Sequence, residues 1–143
     1  MPYTVFRASI DDVDFAKTAL AEIHERHLVD DASVISFLKT PECFLLLAVE
    51  EGCVLGSLNG YSLRQPESSR PQFLLYELDV RKEHRRRGIG LALVNAFTDE
   101  ARAAGAFEVW VVSNESTDAA VELYRKCGYR RENDDDVMLS IQL

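Results

Sequence analysis

Between residues 81 and 90 the chain reads Arg-Lys-Glu-His-Arg-Arg-Arg-Gly-Ile-Gly, a run that few folds can accommodate. Residues 81–87 hold five Lys/Arg and one Glu, a local charge of +4 in a protein of formal net charge −8, so the remainder carries −12. The run follows a strand-like segment, residues 73–80. It precedes an amphipathic one, residues 88–104, whose Ile89, Ala92, Leu93, Ala96 and Phe97 form a single stripe that stops at Gly105. Cations are thus crowded onto a helix N-terminus, which already presents partial positive charge and unpaired N–H groups. An anion bound there would accept those amides and neutralise the charge. Gly88 and Gly90 would let it approach the backbone with no Cβ in the way. The spacing Arg85-x-x-Gly88-x-Gly90 is neither G-x-G-x-x-G nor a Walker A loop, which ends in G-K-[ST]. A solvated basic turn is the alternative, and the position between strand and helix weighs against it.

The rest of the chain supports one α/β domain spanning residues 1–143. That length buries a sizeable core without disulfide staples. Residues 3–7 predict an opening strand. Ser9 caps a helix with Asp11 and Asp12 in its first turn, and Val13, Ala16, Leu20 and Ile23 carry the helical spacing to about His27. A shorter helix is expected over residues 32–38, before Pro41. Residues 44–50 and 53–63 read as a hairpin joined at Glu51-Gly52, and residues 67–71 as a loop. Alternation over residues 73–80 puts Tyr76, Leu78 and Val80 on one face and Glu77 and Asp79 on the other. Residues 107–112 predict a strand, residues 117–127 a helix ended by Gly128, and residues 137–143 a closing strand.

Charge and cysteine usage exclude several functions. A net −8 opposes general nucleic-acid or anionic-membrane binding and suits a cationic partner. Cys43, Cys53 and Cys127 are odd in number and scattered, giving neither a disulfide framework nor a zinc pattern. His24 and His27, three apart on the first helix, could form the edge of a metal site, but no supporting pattern accompanies them; no metal is expected. The N-terminus lacks a secretion signal and no apolar run could span a bilayer, so a cytoplasmic setting is expected.

The loop does not stand alone. Asn114 is followed by Ala120-x-x-Leu123-Tyr124-Arg125-Lys126-Cys127-Gly128-Tyr129. Together with the strand before the loop and the helix after it, this block resembles the GNAT family of acyl-CoA-dependent N-acetyltransferases over roughly residues 44–131. Tyr76-Glu77-Leu78-Asp79-Val80 running into Glu83-His84-Arg85-Arg86 looks most like the aminoglycoside 3-N-acetyltransferases within it, and the acidic stretch before Val137-Met138 is similar too. The resemblance implies a mixed, mostly antiparallel sheet flanked by helices, with a splay between the fourth and fifth strands. It also implies acetyl-CoA as cosubstrate, direct transfer in a ternary complex, and a possible homodimer.

By the same resemblance, the amides of Arg85, Arg86, Arg87, Gly88, Ile89 and Gly90 would cradle the coenzyme's pyrophosphate, with arginine side chains within reach. The pantetheine arm would enter the splay beside Leu78 and Val80, the Val80 amide polarising the acetyl carbonyl. Asn114 would hydrogen-bond that arm; it could equally be a turn residue or a helix-entry cap. Tyr124 would protonate the departing thiolate, or be a packed aromatic with a wet hydroxyl.

Acetyl transfer needs a neutral amine, and a carboxylate near the acceptor can take its proton directly or through water. Glu77 is the leading candidate base and Asp79, on the same face, a contributor; the alternative is that both simply face solvent. Asp30, Asp31 and the acidic run with Asp134, Asp135 and Asp136 would line the cleft for a cationic acceptor, or be solvated turns. The function expected is acetylation of a primary amine on a polycationic small molecule, which the resemblance makes an aminoglycoside acetylated at its 3-amino group. Alternatives are a polyamine, amino-acid or peptide acceptor, or an acyl-CoA-binding module that has lost its chemistry.

Overall fold

The run Phe-Leu-Leu-Leu-Ala-Val has no polar alternation, which suits a strand covered on both faces. It forms β2 (Cys43–Glu50) in a computed structural model that describes residues 2–24, 29–114 and 118–143. Phe44, Leu46 and Ala48 enter one core, while Leu45 and Leu47 enter another across the sheet. With β1 (Thr4–Arg7), β3 (Cys53–Gln65), β4 (Ser68–Val80) and β5 (Glu108–Val111), it makes a sheet in the order β1-β2-β3-β4-β5. All pairs are antiparallel except β4 with β5.

Helices α1 (Val13–Ile23) and α2 (Asp31–Lys39) close one face over Leu45, Leu47 and Val54. Helix α3 (Ile89–Ala103) covers the other, and α4 (Asp118–Lys126) packs beside it through Leu123 and Tyr124. The core under α3 centres on Phe44, Phe73 and Phe97, with ring centroids 5.0–6.0 Å apart. Ser9 caps a single 3-10 turn, Ile10–Asp12, that leads into α1. Asp12 returns the bond by accepting from the Ser9 amide at 2.8 Å.

Three expectations are corrected. Residues 67–71 are not a loop: β3 and β4 meet at Gln65 and Ser68, so most of that segment lies in β4. Polar composition suggested a loop there, but an edge-facing stretch of hairpin tolerates the same residues. Residues 137–143 form no strand, and Val137, Met138, Leu139, Ile141 and Leu143 are each at least 77% exposed. Alternation supplies strand propensity but not a neighbour to pair with, and this segment pairs with neither sheet edge. Finally, the side-chain alternation in β4 is interrupted. The register steps from Asn59 opposite Glu77 to Gly60 opposite Leu75, leaving Tyr76 as an extra residue in a bulge.

Gly60 makes that step possible. A Cβ there would lie 2.4 Å from Phe97 Cζ and 2.6 Å from the Leu74 carbonyl oxygen. Gly60→Ala is therefore expected to cost about 1–3 kcal/mol by overpacking. A thermal melt that matched wild type would contradict this.

Candidate functional site

The bulge re-aims the residues that follow it. Phe73 and Leu75 before it, and Leu78 and Val80 after it, all pack toward α3. Tyr76 instead crosses to the α2 face, where it meets Tyr61 edge-on at 5.8 Å, and Tyr61 meets Phe37 at the same distance. Strict alternation, which grouped Tyr76 with Leu78 and Val80, is overruled by the inserted residue. Tyr76 is 59% exposed and ends an aromatic row on that face. Beside the row, Asp30, Ser33, Ser36, Phe37 and Cys43 line part of a shallow depression of about 440 Å³.

On its other edge β4 outruns its neighbour. Pairing with β5 ends at Leu75 opposite Val111, while β4 continues to Val80. The Arg81 amide donates to the Leu55 carbonyl at 2.9 Å, toward β3. Strand alternation then turns the Val80 and Leu78 amides the opposite way, toward the unpaired edge. The Val80 carbonyl faces that side too, where it accepts from Arg85 Nε at 3.2 Å. The opening lies where a splay between the fourth and fifth strands is expected.

The opening leads into the basic loop. Left-handed residues alternate there, Arg86 at φ 65° and Gly88 at φ 78°, the kind of backbone that can turn successive amides toward one side, as anion-binding loops do. Helix α3 then begins at Gly88 with no side-chain cap and no acidic residue in its first turn. Arg85 and Arg86 are exposed, whereas Arg87 turns back to the Glu50 carboxylate at 3.0 and 3.2 Å and approaches His84 Nδ1 at 3.1 Å. Arg81 pairs with Glu22, tying α1 to the end of β4. Gly88 is exposed, but Ile89 and Gly90 are buried. A Cβ at Gly90 would meet Leu123 Cδ1 at 2.7 Å, so this glycine admits α4 rather than clearing space for an anion.

Glu77 and Asp79 come together on the α1 side of β4, and the group between them is His24. Its Nδ1 lies 3.6 Å from Asp79 Oδ2 and its Nε2 3.9 Å from Glu77 Oε2. The ring is 21% exposed and each carboxylate side chain 46%. Among the described residues this is the one cluster of three His, Cys or acidic side chains with atoms all within 4.8 Å. Sequence reasoning weighed His24 as one edge of a metal site with His27, and nothing in the sequence links the end of α1 to β4. His27, its expected companion, lies outside the described residues.

Tyr124, on α4, packs against the α3-side core and meets Tyr129 at 5.9 Å. Burial, then Tyr129, then the charge of Asp79 push its hydroxyl above the usual phenol range, so it stays protonated at neutral pH. Burial likewise raises the Cys127 and Cys43 thiols, which removes thiolate character from both. Asn114 is exposed, beyond the end of β5.

The remaining acidic candidates are engaged locally. Asp30 caps α2, accepting from the Ala32 and Ser33 amides at 3.3 and 3.2 Å and from Ser33 Oγ at 2.8 Å. Asp31 pairs with Lys17 of α1. Asp134 lies 3.5 Å from Arg131, and the Asp135 amide donates to Asn133 Oδ1 at 2.9 Å, in an exposed turn that also contains Asp136. The Ser33 hydroxyl, with the two amides, holds the Asp30 carboxyl below the usual range. A carboxyl lowered on folding stabilises the fold above its unfolded pKa of about 4 and loses that contribution as pH falls through the lower folded value. Asp30→Ala should therefore lower the melting temperature at pH 7, and the gap to wild type should narrow in strong acid. Equal gaps at both pH values would rule the cap out as the source.

Comparison with known proteins agrees with this fold. The sequence family described as "Acetyltransferase (GNAT) family" matches residues 10–129. A mouse protein named "Probable N-acetyltransferase family 8 member 5" is 32% identical over 85 residues, 59% of this chain and 37% of that protein. The chain thus spans under half the length of that relative. An aminoglycoside acetyltransferase from an uncultured soil metagenomic sample superposes with a TM-score of 0.88 at 28% identity, covering 100% of this chain and 99% of the other. A second from such a sample, in complex with sisomicin, gives 0.86 at 23% identity over 99% and 96%. AAC(6')-Iy, in complex with a CoA-linked bisubstrate analogue of acetylneamine, gives 0.81 at 14% identity over 100% and 99%, a likeness of fold. No helix among the described residues is long and apolar enough to cross a membrane.

Proposed function

The chain belongs to the GNAT acetyltransferase family, and from that premise we propose that it moves the acetyl group of acetyl-CoA onto a primary amine of a cationic small molecule, an aminoglycoside at its 3-amino group. The observation that carries this reading is the open edge of β4. It turns the Leu78 and Val80 amides outward, runs directly into the left-handed loop, and backs onto Glu77 and Asp79. An acyl donor and a cationic acceptor thus have separate approaches to one strand.

In this mechanism the loop amides from Arg85 to Gly90 and the uncapped start of α3 hold the diphosphate, aided by the exposed Arg85 and Arg86 side chains. The pantetheine arm lies along the unpaired edge, with Asn114 as a further hydrogen-bonding group. The Val80 amide stabilises the oxyanion that forms when the amine attacks the thioester carbonyl. Glu77 takes a proton from the incoming ammonium, and Asp79 shares the work of holding that cation. Tyr124, kept as a neutral phenol, donates to the departing sulfur. Cys127 has no part, because its raised thiol is a poor nucleophile and direct transfer needs no acyl-enzyme.

The acceptor assignment rests on charge and shape. A body of −12 outside the loop attracts polycations, and the exposed ring of Tyr76 offers a stacking face for a sugar next to the carboxylates. Asp30, Asp31 and Asp134–Asp136 add to that field at longer range. The work takes place in the cytoplasm, where acetyl-CoA is supplied, and no nucleic acid or membrane takes part; a homodimer is part of the same reading.

The test is thiol release from acetyl-CoA against aminoglycosides, polyamines, amino acids and peptides, with the product position read by NMR. Turnover confined to aminoglycosides, with the acetyl group on N3, is the expected result. Turnover only with another amine class would overturn the acceptor, and CoA binding without turnover would overturn the chemistry. Tyr124→Phe should lower kcat about tenfold to a hundredfold while leaving acetyl-CoA binding intact. An unchanged kcat would remove Tyr124 from the transfer step.

A further inference from the structure

When an ammonium becomes an amide the nitrogen loses two protons, and only one is needed on the departing sulfur. A carboxylate that has accepted one proton has no room for the next. The proposed function, on which this inference rests, is served faster by a second station behind Glu77 than by release to bulk water between the two losses. We propose that His24 is that station: a positioning residue that Asp79 clamps and that empties Glu77 between the two proton losses.

The placement is fixed by the backbone. His24 is the C-cap of α1, its amide donating to the Leu20 carbonyl at 3.1 Å, and its ring reaches across to β4 with one nitrogen toward each carboxylate. A neutral imidazole donates at one nitrogen and accepts at the other. With Nδ1–H turned toward Asp79, the Nε2 lone pair faces Glu77. Glu77 first takes a proton from the substrate ammonium. Its O–H bond then breaks as an Nε2–H bond forms, leaving an imidazolium between two carboxylates and Glu77 ready for the proton that leaves after attack. The imidazolium passes its proton to water through the exposed part of the ring. The second proton restores Tyr124 by way of solvent, so the sum is one amide, one thiol and one proton released.

The separations of 3.6 and 3.9 Å are longer than direct hydrogen bonds, and a small ring rotation or one bridging water closes them. No other described group near the ring takes its place. Glu22, on the same helix, is committed to Arg81. Tyr61 of β3, on the Glu77 side, and Tyr124 of α4, on the Asp79 side, are phenols held neutral chiefly by burial.

The experiment compares His24→Asn and His24→Gln with wild type in thiol release between pH 6 and 9, using primary amines from strongly to weakly basic. Amines protonated at the assay pH should lose about tenfold or more in kcat/KM. Amines already neutral should lose less than about twofold, with the KM for acetyl-CoA unchanged and the pH profile displaced for the basic amines only. Equal loss for both amine classes, or no loss, overturns the relay; recovery of a chelator-treated wild type only with added zinc would reassign the cluster to a metal and overturn it too. Nitrogen NMR of the imidazole supplies a readout independent of turnover. The Nδ1–H tautomer should dominate in wild type and redistribute in Asp79→Asn, and an unaltered tautomer would refute the clamp. Absence of wild-type turnover with every amine would instead count against the proposed function.

Discussion

Replacing Glu77 with Gln is expected to lower kcat/KM for a cationic acceptor by about 10²–10⁴, the range that general-base removal usually costs. The substitution keeps the shape and hydrogen-bonding capacity of the side chain but removes its ability to take a proton. Glu77 is nearly half exposed and no core packing depends on it, so folding should be unaffected. The KM for acetyl-CoA should stay close to wild type, because in the proposed mechanism the donor follows the unpaired edge of β4, away from the face that carries Glu77. The deficit should shrink as the pH is raised and more of the amine arrives neutral. Steady-state kinetics across pH decide the matter: a pH-independent deficit would mean that Glu77 binds the acceptor without deprotonating it.

Gly88→Val should act on the other substrate. Gly88 holds φ at 78°, where a β-branched residue is strained by about 1–2 kcal/mol or more. Relief of that strain swings the loop amides out of alignment, so affinity for CoA should fall about tenfold or further. Amine binding should be spared. Arg86 provides the internal control, since it too is left-handed, at φ 65°. Arg86→Gly relaxes the backbone and removes only a side chain, so it should weaken CoA far less than Gly88→Val does. Calorimetry with CoA reads both, and a loss confined to Arg86→Gly would show that side-chain charge, not loop conformation, dominates the grip.

The parts of this site differ in how legible they were. The loop from Arg81 to Gly90 could be read directly, because a cluster of cations and glycines between a strand and a helix is a local pattern with a local physical cause. The helix with Leu123 and Tyr124 was equally plain from its stripe. Tyr76 was misplaced because alternation assumes an uninterrupted ladder, and the insertion shows only when β3 is laid alongside. His24 was passed over for a related reason: on its own helix it is one polar residue among several. Its meaning comes from two carboxylates supplied by a distant strand. The tail from Val137 to Leu143 erred in the other direction, since an alternating pattern promises a strand only where an edge receives it.

The sequence by itself determined the order of helices and strands as far as α4, the basic, glycine-punctuated character of the loop and the acidity of the body. Each of these depends on residues close together in the chain or on a simple sum of charges. Only the tertiary structure decided which edge of β4 stays open, which way Tyr76 points and which side chains gather around Glu77. Those outcomes depend on register between strands, where a single inserted residue exchanges the two faces of everything beyond it.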